Sequence, residues 1–238
     1  MHQFRLATGA RVTRLGTGSI QVALNPAQQT RITDNPHNRH LLDCLARPEI
    51  GDIDPQDRAL GQLIRHQLVI TISELKARER RRRKTRLYIA GFEPSPEQLD
   101  SIGVRRTQEP EQATVALLLG NQVHLAGDFA TAGLPHLVAD FPGGTPRLGP
   151  FVAPGQTPCL DCLVLQGHDP IGTGDLTDYE PNPALLPLGA HFLFRDLDTW
   201  LDGHTPWTWC RTILLGVNPE HSQFRTWLRH PECACTWI

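Results

Sequence analysis

Short stretches of alternating apolar and polar residues open the chain at Ala10–Arg14, Ser19–Ala23 and Gln29–Ile32, separated by Gly16-Thr-Gly18 and Asn25-Pro26. Period-two alternation punctuated by turn residues predicts three β-strands in a small antiparallel meander. The period then changes: Leu41, Leu42 and Leu45 recur along one helix face, after the start signal Asp34-Asn-Pro36 and before Pro48. A second helix is expected over Asp54–Gln67, with Asp54 capping the first turn, Pro55 at the first helical position, and Leu60, Leu63, Ile64 and Leu68 on the apolar face. Strands followed by helices within about 75 residues predict a winged-helix-like unit.

Beyond it the strand-like runs Arg86–Gly91, Ala113–Leu119, Pro135–Phe141 and Arg147–Pro154 are interspersed with the helical stretches Pro96–Ser101 and Gln122–Ala132. This rhythm predicts a mostly parallel sheet with crossovers, hence an α/β body in a chain that is α+β overall. Pro158–Gln166 reads as a helix, Asp169–Pro183 as an irregular acidic loop, and Ala184–Leu201 as a helix. Thr212–Val217 and Gln223–Leu228, joined through Asn218-Pro219, read as a hairpin leading into the tail.

Composition narrows the class. The 238 residues are 39% hydrophobic and 20% charged with net charge −2, a soluble globular balance with room for two modest domains. No run is long and apolar enough for a membrane span, and the N-terminus lacks a signal-peptide core, so a cytoplasmic address is expected. Residues 1–86 carry sixteen Lys/Arg against eight Asp/Glu, a balance of +8, whereas residues 87–238 carry seven against seventeen, a balance of −10. A basic module preceding an acidic body is the reading, with the arginine-rich run 76–86 as the linker.

Cys159-Leu-Asp-Cys162 and Cys233-Ala-Cys235 place four of six cysteines in two tight pairs. Such pairs suit a closed tetrahedral zinc site with Zn–S bonds of about 2.3 Å, which is a structural rather than catalytic arrangement. Against it stands the seventy-residue gap between the pairs, which leaves open one redox-active or buried pair plus an unrelated tail pair. His230 adjoins the thiols and is read as a group supporting the ligands or the loop; Cys44 and Cys210 are read as ordinary core or edge residues.

The first body strand does not run into a glycine-rich phosphate loop: Gly91 is followed by Phe92-Glu-Pro-Ser-Pro96, whose glutamate repels phosphate and whose prolines remove backbone donors. Gly143-Gly144, between two strands, reads as a hairpin turn. The body therefore looks like nucleotide-fold architecture without nucleotide-binding equipment. The arginine run keeps DNA binding in view, but the Asp54–Gln67 helix carries only Arg58 and Arg65 as cations, so major-groove reading is the weaker use of this module.

The segments Leu148-Gly-Pro-Phe-Val-Ala-Pro-Gly-Gln-Thr-Pro-Cys-Leu-Asp-Cys162 and Trp227-Leu-Arg-His-Pro-Glu-Cys-Ala-Cys235, with Leu41-Leu-Asp-Cys-Leu45 upstream, resemble the ThiF-like proteins of azole-forming peptide biosynthesis, the leader-binding partners of YcaO cyclodehydratases. The resemblance covers nearly the whole chain. It implies a winged-helix peptide recognition element at 1–75, the basic linker at 76–86, and at 87–238 a truncated, degenerate adenylating-enzyme fold with zinc on Cys159, Cys162, Cys233 and Cys235.

The implied role is non-catalytic: the chain holds a precursor's leader peptide while a YcaO partner uses ATP to form thiazolines or oxazolines. In that family the leader adds as a strand beside the third strand, which on this chain assigns the edge to Thr30, Arg31 and Ile32 and the groove to Leu60, Ile64 and Arg65. Zinc is the expected cofactor, ATP is not expected on this chain, and a homodimer is compatible with the fold. Two other readings are carried: an ATP-dependent adenylating enzyme, and a zinc-containing winged-helix DNA-binding regulator.

Overall fold

The computed structural model describes residues 4–16, 18–47, 52–168, 183 and 185–237. The chain divides into two compact units, Met1–Glu79 and Arg80–Ile238. In the first, β2 (Arg11–Leu15), β3 (Ser19–Ala23) and β4 (Gln29–Thr33) form the antiparallel meander, with Ile20 opposite Ile32 and Val22 opposite Thr30. An additional strand, β1 (Phe4–Leu6), pairs antiparallel with β5 (Val69–Thr71); three residues each are too short for periodicity to reveal.

Helix α1 (Pro36–Ala46) starts where the sequence places it, because the Asn35 side chain caps it by accepting the Asn38 N–H. Helix α2 (Arg58–Arg65) starts a turn later than expected. Asp54 spends its carboxylate on the Gln56 N–H within a turn, while Asp57 accepts the Leu60 N–H and becomes the cap. Both helices press onto the meander, α1 through Leu41, Leu42 and Leu45 and α2 through Leu60 and Leu63, with Leu68 just past α2 joining them, all buried. The arginine run is mostly helical, within α3 (Ile72–Lys84), which spans the point where the units divide.

The second unit is a seven-stranded sheet in the order β12-β11-β10-β9-β8-β6-β7. Strands β6 (Arg86–Ala90), β7 (Arg105–Thr107), β8 (Val115–Leu119) and β9 (His136–Asp140) are parallel. Every residue of β8 and β9 is buried, as expected where both faces of a parallel sheet are covered. The remaining strands, β10 (Arg147–Val152), β11 (Arg211–Leu214) and β12 (Gln223–Thr226), are antiparallel. The fourth run is antiparallel to the third, as the hairpin reading of Gly143-Gly144 requires: only six residues separate β9 from β10, too few for a crossover.

Helices α4 (Pro96–Ile102), α5 (Ala126–Thr131), α6 (Leu160–Leu165) and α7 (Leu186–Leu201) cover the sheet. One face packs Leu193, Phe194, Leu197 and Leu201 of α7 onto the strands; the other packs Phe129 of α5, Leu160 and Leu163 of α6, and Trp227. The acidic loop expected at Asp169–Pro183 lies outside the described residues except for Pro183. No helix among the described residues is long and apolar enough to cross a membrane.

Candidate functional site

Cys159 sits at the N-cap of α6 and Cys162 in its first turn, so one short helix aims both thiols the same way. Cys233 and Cys235 reach them from the tail beyond β12. The sulfurs lie 3.9 Å apart for Cys159–Cys162, 3.5 Å for Cys159–Cys233 and 3.3 Å for Cys162–Cys235, and all four fall within 4.8 Å of one another, buried. Four Zn–S bonds of about 2.3 Å in a tetrahedron require S···S separations of about 3.8 Å, so the donor set and its spacing fit such an ion. The seventy-residue gap is bridged by the fold, and these four residues could hold a metal.

The tail also makes contacts besides those among the thiols. Trp227 is buried and its indole N–H donates to Thr212 Oγ1 at 3.1 Å. The Arg229 guanidinium donates to the Gly155 carbonyl at 2.9 Å and to the Cys235 carbonyl, placing a positive charge beside the cluster. His230 meets Cys162 Sγ through its main-chain N–H at 3.3 Å, while its ring Nδ1 accepts the Glu232 N–H. Burial pushes Cys159 up, and burial with thiol hydrogen bonds pushes Cys162 up to about 11; at Cys235 the bonds from Cys162, Cys233 and Cys159 outweigh burial and bring it down to about 7.

In the first unit the Leu24 N–H donates to Gln28 O and the Asp34 N–H to Gly18 O. By alternation, Thr30 and Ile32 direct their backbone groups to β3, whereas Gln29, Arg31 and Thr33 direct theirs to the opposite, unpaired edge. Of the three residues assigned to a docking edge, only Arg31 therefore presents N–H and C=O outward; the Thr30 and Ile32 side chains are buried. Leu60 is a core residue with no exposed surface, so it is not an accessible groove wall, while Ile64 and Arg65 are exposed on α2. Gln62, absent from the sequence reading, donates from α2 to Arg31 O and to Thr30 Oγ1.

Open parallel sheets bind ligands outside the carboxyl ends of the strands, where the winding reverses. Here that point lies between β6 and β8, where the two strands run close together. Gly91 (φ 109°) packs so tightly that a Cβ would fall 2.1 Å from Leu119 O. Phe92, after β6, and Phe141, after β9, bring their rings to 5.4 Å, and Arg147 forms a two-pronged ion pair with Asp140 at the end of β9. Two members of the arginine run are also engaged: Arg81 donates to the Leu201 and Asp202 carbonyls, and Arg82 pairs with Asp198 and Asp202.

No protein-family model matches the chain, and no curated protein matches it. Solved structures do. The heterocyclase TruD is 15% identical with a TM-score of 0.67, over 98% of this chain and 42% of TruD, so the chain spans less than half of that protein's length. The microcin C7 biosynthetic enzyme MccB, in complex with N-formylated MccA, is 10% identical with a TM-score of 0.67, over 98% of this chain and 99% of that one. E. coli MccB with ATP is 11% identical with a TM-score of 0.62 over the same 98% of this chain. The chain shares the fold of TruD and MccB. At these identities the likeness speaks for architecture, which agrees with the ThiF-like fold expected of the body.

Proposed function

We propose that this chain is a non-catalytic recognition subunit that binds the leader peptide of a ribosomally made precursor and presents it to a YcaO cyclodehydratase for ATP-dependent azoline formation. The carrying observation is the first unit's strand edge, with outward backbone groups beside an exposed helix face; in the second unit, Phe92-Glu-Pro-Ser-Pro96 after β6 offers a glutamate and two prolines where a phosphate loop would offer backbone donors. TruD and MccB lend support, since the one is a heterocyclase and the other is found with a peptide, MccA. The four cysteines take structural zinc, which ties the tail to α6; when bound, the ion supplies cross-linking rather than a reactive water.

The test is a fluorescence-polarisation titration of a labelled synthetic leader peptide, taken from any small precursor gene found beside the one for this chain, against the full protein. Saturable binding that a scrambled peptide does not reproduce is expected. Arg31→Pro removes one outward N–H from an edge strand without touching the β3 ladder, and should weaken binding roughly tenfold; Ile64→Asp should weaken it by a similar factor. No saturable binding by the wild type overturns the reading. ATP–pyrophosphate exchange stimulated by the same peptide would instead favour an adenylating enzyme.

A further inference from the structure

The outward edge of β4 is chemically lopsided. Two of its three outward acceptors are covered: the Gln62 side-chain amide donates to Arg31 O at 3.0 Å and to Thr30 Oγ1 at 2.7 Å, and the Asn38 amide donates to Thr33 O at 2.8 Å. The Arg31 and Thr33 N–H groups on the same edge have no protein partner among the described residues. At Arg31 and Thr33 the donors stand open while the acceptors are held.

The two holders differ in how firmly they are built in. Asn38 is 8% exposed, lies in the first turn of α1, and is pinned through its own N–H to the Asn35 cap. Gln62 lies on a partly exposed part of α2, and its longer side chain retains rotamer freedom that the Asn38 packing denies.

We propose that Gln62 is a displaceable latch on the peptide-docking edge. The proposal rests on the recognition reading above. An extended peptide approaching β4 can accept from the Arg31 N–H at once, but to donate its own N–H to the Arg31 carbonyl it must expel the Gln62 amide. Binding therefore exchanges a side-chain hydrogen bond for a main-chain one, and each encounter that does not complete the exchange is released. A peptide segment that offers no N–H opposite Arg31, such as a proline at that position, leaves the latch closed and binds weakly. The latch thus selects for register and continuity of the incoming strand, and Asn38 stays in place at the strand end.

The experiment compares wild-type full chain with Gln62→Ala, both checked for unchanged thermal unfolding, against the labelled leader peptide used above. Gln62→Ala is expected to bind about fivefold tighter, the net worth of one hydrogen bond no longer broken, with the gain appearing in the association rate. In the isotope-labelled wild type, the Gln62 side-chain amide resonances should shift as the peptide saturates. A folded Gln62→Ala that binds equally or more weakly, or Gln62 resonances that do not move, overturns the latch while saturable wild-type binding leaves the recognition reading standing. Absence of saturable binding by both proteins overturns the recognition reading and the latch with it.

Discussion

The two faces of the seven-stranded sheet are closed by different means. On the α7 face, Leu193, Phe194, Leu197 and Leu201 fill the space over the strands, and the buried Asp196 carboxylate accepts from Trp207 N at 2.9 Å, Thr208 N at 2.6 Å and Thr208 Oγ1 at 2.6 Å. Apolar burial and complete hydrogen bonding make that face self-sufficient. The opposite face buries four thiols and His136, whose Nδ1–H donates to Leu134 O while Nε2 has no partner among the described residues. On the zinc reading its closure is conditional on an ion for the sulfurs as well as on a neutral imidazole. Stability on one face is a property of the sequence; on the other it is also a property of the solution.

The largest way to break this comparison is to take the ion away. Free energies of structural zinc binding, on the order of 10 kcal/mol in small peptides, rival the whole stability of a domain. On the zinc reading, chelation or Cys162→Ser should release the tail, expose Trp227 and lower the unfolding midpoint steeply. Fluorescence and metal analysis check this; a metal-free preparation with an unchanged melting curve defeats it. The counterpart on the other face is Leu197→Ala, which removes a fully buried side chain from α7 and should cost about 3 kcal/mol. That loss should be the same with and without chelator, as read by denaturant titration.

How much of this was legible in the sequence depended on whether the information was local. The meander, both N-terminal helices, the hairpin at Gly143-Gly144 and the paired cysteines follow from periodicity, turn chemistry and spacing. Strands β1, β5 and β7 were missed because three residues carry no period. Asp54 and Asp57 are equally good caps by composition, and only the surrounding turn chooses between them. At the docking edge, Thr30 and Ile32 are distinguished from Arg31 by hydrogen-bond parity, which depends on where the β3–β4 turn starts. Gln62 was invisible because its partners lie thirty-one and thirty-two residues away; His136, a lone imidazole inside an apolar run, was the one signal that could have been followed.

His136 sharpens the comparison by pH. Burial lowers its pKa from 6.5 to about 4, the bond to Leu134 O opposing this only in part. The unfolded chain therefore binds a proton that the folded chain refuses between those values, so stability is complete above pH 6.5 and falls as the pH drops toward 4. At 1.36 kcal/mol per pH unit the loss approaches about 3 kcal/mol. Because thiolate ligands also protonate in acid, the readout is the difference between wild type and His136→Leu in urea titrations at neutral and mildly acidic pH. The wild type should lose more over that interval, and parallel curves would remove His136 as a source of the acid sensitivity.

The smallest effect probes the tail's anchor that does not involve sulfur. Thr212→Val keeps the side chain's shape but removes the acceptor for the Trp227 indole N–H, which is buried and has that one bond. An unsatisfied buried donor should cost about 1 to 2 kcal/mol in the metal-loaded protein. The same substitution after chelation separates two arrangements of this face. If the tail moves as one unit, metal loss already frees Trp227 into water, and Thr212→Val then changes nothing. Equal costs before and after chelation would mean that Trp227 stays docked without the ion, and that the face is held by two independent fastenings rather than by one conditional on the other. The first outcome is expected, because Arg229 and His230 link Trp227 to the cysteines through a few residues of chain whose hydrogen bonds end on Cys235 and Cys162.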